Sequence, residues 1–115
     1  MKSKPPKSFP SKPDQRLLDE LVKRTVEAVH PLRIILFGSA ARDAMGPDSD
    51  LDLLVIVPES NEPPTQRATR AHRSLIGVMV PMDILVRTRA EVERHSRVYA
   101  SLISEILERG KVLYG

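Results

Sequence analysis

Apolar residues return every three or four positions from Leu17 through Leu18, Leu21, Val22, Val26 and Val29, with Thr25 on the same stripe and charges between them. That spacing lines one face of a helix that starts at Asp14 and ends before Pro31. The pattern then shortens. Arg33–Phe37 is a brief apolar run between Pro31 and Gly38, which reads as a buried strand, and Ser39–Asp43 is expected to open a short helix. A loop over Met45–Ser49 leads into a second apolar run, Asp50–Val57, stopped by Pro58.

Beyond a polar loop, Ala68, Ala71, Leu75 and Val78 mark one helical face, with Arg67, Arg70, His72 and Arg73 largely on the solvated others. Met82–Val86 reads as a third strand. Thr88 and Glu91 have the spacing of a capping box, the Thr oxygen accepting from a free backbone N–H while the Glu reaches back. The helix it opens is expected to run on through Val92, Val98, Leu102, Ile103, Ile106 and Leu107 to a cap at Gly110. Lys111–Gly115 suits a last short strand. Helices alternating with strands predict an α/β (α+β) domain: a small mixed sheet of three to four strands with helices packed on it.

Charge divides the chain in two. Four of its 18 Lys and Arg stand in residues 1–13 with no acid among them, which leaves 14 against 15 Asp and Glu over residues 14–115. Residues 1–13, rich in Lys, Pro and Ser, are expected to be a disordered basic arm, and 14–115 the folded domain. The folded part is therefore near neutral, which argues against stable nucleic-acid binding, and with two Phe, two Tyr and no Trp there is little for bases to stack on. No cysteine is present, which excludes a disulfide framework and a Cys-zinc site. No apolar run nears the ~20 residues of a membrane span. A cytoplasmic protein is expected.

The chemistry lies at the strand ends. Asp50 and Asp52 open the second strand two residues apart, so they project to one face while Leu51 and Leu53 take the other. Two close carboxylates repel unless a cation lies between them, and hard divalent ions suit such oxygen donors. Gly38-Ser39 ends the first strand: glycine lets a phosphate approach the backbone, free N–H groups there point at an anion, and the Ser hydroxyl adds a donor. Arg42 falls on the same side and suits a phosphate oxygen. Asp83 is an acid in an otherwise apolar strand, costly to bury alone, and is placed beside the pair as a metal ligand or as a base. His30 and His95 read as ordinary surface or helix-end residues.

Gly38-Ser39, ten intervening residues, Asp50-x-Asp52 and a third Asp on a following strand resemble the DNA polymerase beta-like nucleotidyltransferase superfamily. The text Phe-Gly-Ser-Ala-Ala-Arg, then Ser-Asp-Leu-Asp-Leu-Leu-Val, is most similar to the minimal nucleotidyltransferases (the MNT group), which include the MntA-type antitoxins of HEPN/MNT toxin–antitoxin systems. The likeness runs from about Leu32 to the C-terminus. Asp43 departs from it, since many relatives carry Gly there.

The resemblance implies that Gly38 and Ser39 hold a triphosphate, that Asp50 and Asp52 bind two Mg²⁺, and that Asp83 binds metal and activates the acceptor. It implies AMP transfer from ATP to a hydroxyl, a tyrosine of a HEPN-type ribonuclease toxin, which is thereby silenced. Two alternatives stand beside it: an antitoxin that neutralises by contact alone, and a free-standing nucleotidyltransferase acting on a small hydroxyl compound.

Overall fold

The computed structural model describes residues 13–45, 50–78, 80–98 and 101–115. The Lys- and Pro-rich arm expected over residues 1–13 lies outside these but for Pro13, as does most of the Met45–Ser49 loop.

Asp14 begins the first helix by accepting a hydrogen bond from the Arg16 N–H at 2.8 Å, and α1 runs Gln15–Val29. It ends where His30 turns left-handed (φ 48°), its N–H returned to the Val26 carbonyl. The strands follow the apolar runs: β1 is Arg33–Phe37, β2 Leu51–Val57, β3 Met82–Thr88 and β4 Lys111–Tyr114. They form one mixed sheet in the order β3-β2-β1-β4, with β2 and β3 parallel and β1 antiparallel to both β2 and β4. The parallel pair needs a crossover, supplied by α2, Pro64–Ser74.

Strand alternation sends side chains to two cores. Ile34, Leu36, Leu51, Leu53, Val55, Ile84 and Val86 meet Leu18 and Leu21 of α1 and Ala71 of α2 on one face. Ile35, Leu54 and Ile56 meet Val92, Ile103 and Ile106 on the other. Both faces of β2 are thus covered, which is why its pattern is continuous rather than alternating. Each such fully buried aliphatic side chain contributes about 1.5–3 kcal/mol.

Three expectations change. The helix after Thr88 is two helices, α3 Arg89–Ser96 and α4 Leu102–Arg109. Val98, six residues after Val92, falls about 240° round a helix from it, and in the structure it is 57% exposed. With nothing to bury there, the chain breaks, and Ser101 caps α4 by accepting from the Ser104 N–H while donating its own hydroxyl to the His95 carbonyl.

Arg67 is not on a solvated face. It is 4% exposed and forms a two-pronged ion pair with Glu91, at 3.0 and 3.3 Å. Glu91 is the capping-box acid of α3 and also accepts from the Thr88 N–H at 2.7 Å. Since α2 and α3 lie on opposite faces of the sheet, this pair ties the two helical layers together round the end of β3.

Ser39–Asp43 is one turn rather than a helix. The Asp43 N–H returns to the Ala40 carbonyl (3.3 Å) and the Ala44 N–H to that of Ser39 (2.8 Å), with Asp43 left-handed at φ 54°. That bonding closes a helical turn in the way a C-terminal Schellman cap does. Among the described residues no helix is long and apolar enough to cross a membrane.

Candidate active site

Register settles which acids meet. Asp52 is the first strand-paired residue of β2 on the face of α3 and α4, with Phe37 across from it on β1 and Asp83 across from it on β3. Asp50 lies just before the strand, exposed, two residues behind Asp52. The Asp52 carboxyl is held above its ordinary pKa, first by partial burial and then by the like charges of Asp83 and Asp50. All three acids expected from the sequence therefore stand in one row at one end of the sheet.

Gly38 takes a left-handed conformation (φ 74°), and a Cβ built on it would overlap the Asp52 carboxylate oxygen. Glycine is thus required twice, for the turn out of β1 and for the room Asp52 occupies. Behind it, the N–H groups of Ser39, Ala40 and Ala41 have no acceptor among the described residues. Free N–H groups at the start of a helical turn are ordinary, and here they lie next to Gly38 and Asp52.

A cavity of about 250 Å³ opens beside the acids. Gly38, Asp52 and Arg42 form one wall; Leu102, Glu105 and Arg109 of α4 form the other, with Phe37 between. Sequence reasoning placed Arg42 here and missed the α4 residues, whose apolar members read only as core. The signal was present: Leu102, Glu105 and Arg109 follow at three- and four-residue spacing, beside rather than on the buried Ile103–Ile106 stripe.

Among the described residues no three potential ligands close into a ready-made metal cage. The fit of a metal to this site rests on the donors themselves: carboxylate oxygens, crowded until one resists ionisation, are what a hard divalent cation such as Mg²⁺ relieves.

Helices cover both faces of the sheet, and at one end of it three acids stand beside a glycine turn. The nucleotidyltransferase domain family matches residues 16–113, and the chain belongs to that family. The crystal structure of a candidate nucleotidyltransferase from Sulfolobus solfataricus is similar, with a TM-score of 0.55 and 25% identity over 69% of this chain and 70% of that one. No curated protein matches the chain significantly.

Proposed function

We propose that this nucleotidyltransferase transfers AMP from ATP to a hydroxyl, a tyrosine of a partner HEPN ribonuclease toxin, and so acts as an antitoxin. The observation that carries the transfer itself is the register Phe37–Asp52–Asp83, which puts two acids side by side against the Gly38 turn. The tyrosine and the toxin are supported by the likeness of the Gly-Ser and Asp-x-Asp text to MntA-type antitoxins.

In this reading Asp50, Asp52 and Asp83 would hold two Mg²⁺, which supply positive charge for the triphosphate and the departing pyrophosphate. The chain's own groups do the rest. Ser39 and the N–H row behind it hold phosphate oxygens, and Arg42 pairs with another. Asp83 takes the proton of the acceptor hydroxyl, whose oxygen bonds to the α-phosphorus as the bond to the β-phosphate oxygen breaks and pyrophosphate leaves.

The test is to incubate the purified chain with ATP, Mg²⁺ and the toxin encoded beside it, and to weigh the toxin. A gain of one or more adenylyl groups, lost with Asp52→Asn, is the expected result. Neutralisation without a mass gain, surviving Asp50→Ala and Asp52→Ala, would show an antitoxin that works by contact. Modification of a small hydroxyl compound in place of the toxin would move the enzyme to the free-standing class.

A further inference from the structure

We infer that the free edge of β3 takes an extended segment of the acceptor protein as one more strand, with the hydroxyl-bearing residue set opposite Asp83. The chemistry in this inference rests on the nucleotidyl-transfer reading; the docking rests on the sheet.

β3 is an outer strand, paired among the described residues with β2 alone. The Leu51 N–H bonds to the Pro81 carbonyl, and that fixes the alternation. Asp83 and Leu85 turn their backbone N–H and C=O groups to β2, while Met82 and Ile84 turn theirs outward. Among the described residues these outward groups have no backbone partner. Further along, the chain closes its own edge: the Arg87 guanidinium donates to the Val86 carbonyl at 3.0 Å, and the Thr88 N–H donates to Glu91. The open stretch is the one that flanks Asp83. The sheet's other edge is built differently. β4 has four residues and its register with β1 slips between Ile34 and Ile35, the short, irregular form that keeps an edge from pairing. β3 stays in register over all seven of its residues.

Backbone groups offered every second residue, about 7 Å apart, match an extended polypeptide rather than a nucleic acid or a small hydroxyl compound. Residues opposite one another on neighbouring strands share a face, with Cβ atoms about 4.5–5.5 Å apart. A residue opposite Asp83 therefore lies on the face that Asp83 shares with Asp52, and its hydroxyl is delivered to the acids.

The probe is a synthetic peptide of alternating Thr and Val with Tyr at its centre, flanked by Lys for solubility. It is added to the full chain with Mg²⁺ and an ATP analogue that cannot be cleaved at the α-phosphate, and amide exchange is followed by NMR. In the free chain the Met82 and Ile84 amides should exchange faster than those of Asp83 and Leu85, and the peptide should slow them by about tenfold or more. Two copies N-methylated on alternate amides separate edge pairing from other binding, since the copy whose methyl groups fall on the bonding edge should give no protection. Met82→Pro removes an outward N–H and no bond to β2. It should raise the KM for the tyrosine peptide about tenfold, the scale of one hydrogen bond, with nucleotide affinity by calorimetry unchanged. A peptide that does not bind, that binds without slowing Met82 and Ile84, or whose methylated copies both protect like the parent overturns the proposal. Transfer is scored apart, with ATP. Protection at the edge with no Asp52-dependent AMP on the tyrosine counts against the reaction and leaves the docking; AMP on the tyrosine with both amides untouched does the reverse.

Discussion

At the Leu51/Met82 end of the parallel pair β2/β3, Asp52 faces Asp83 with Asp50 close by, and its carboxyl is pushed above the ordinary value. At the Val57/Thr88 end of the same two strands, Glu91 is pulled from 4.5 down to about 2, chiefly by its hydrogen bonds with Arg67 and helped by the Thr88 N–H. Both acids are partly shielded from water, so burial alone does not decide their state. The partner does. Glu91 has its cation built into the chain; Asp52 has two more acids beside it. A matched acid holds the fold together, and an unmatched cluster of acids is what the proposed function puts to use.

The sharpest way to break this contrast is to exchange the consequences. Asp52→Asn should lower the rate of nucleotidyl transfer by about a thousandfold, the upper end of the cost of removing one preorganised electrostatic group from an active site, with the fold intact by circular dichroism. A variant that keeps more than a tenth of the rate would remove Asp52 from the centre of the site. Arg67→Ala should do the reverse. It leaves Glu91 without its cation and empties a buried space between two helical layers, so denaturant unfolding should show a loss of about 3–5 kcal/mol, while per-molecule transfer under folding conditions stays near normal.

Acid titration sharpens the comparison at lower cost to the protein. Because folding depresses the Glu91 pKa, its pair contributes fully above the unfolded value of 4.5 and is lost progressively as pH falls towards about 2. Unfolding followed across that window should be steeper for the native chain than for Glu91→Gln, and parallel curves would refute the pairing as a source of stability. Asp52 has the opposite sign. Its raised pKa means the folded, metal-free chain loses stability as pH rises through the carboxyl range. Asp52→Asn should therefore raise the melting temperature at neutral pH, and added Mg²⁺ should raise that of the native chain more than that of the variant.

The two regions also differ in how much of them the sequence disclosed. Asp50, Asp52 and Gly38 were legible because strand periodicity and a glycine at a strand end act locally, and the sheet register then brought Asp83 across. Arg67 was misread, since a helical wheel shows which face a residue occupies but not that the chain will turn back and present Glu91 to it from another layer. The α4 wall of the cavity was missed for the same reason. Its residues gain meaning only through the break at Val98, which sets α4 apart from α3 and against β1.

The smallest effect concerns Asp43, the one departure of this sequence from the pattern its Gly-Ser text resembles. Its φ of 54° explains why a glycine suits that position. A non-glycine residue there bears about 1–2 kcal/mol of left-handed strain, less for Asp, whose short polar chain tolerates it. Gly in turn loses about 0.5–1 kcal/mol more backbone entropy on folding. The two nearly offset, so Asp43→Gly should shift unfolding by less than about 1 kcal/mol and leave transfer unchanged. Asp43→Val has no such tolerance. It should open the closure between Ala44 and Ser39, and with it disturb the N–H row that faces the phosphate. A rise in the KM for nucleotide, with the melting temperature little altered, would show that the turn's shape serves the ligand; a fall in melting temperature with unchanged KM would show that it serves only the fold.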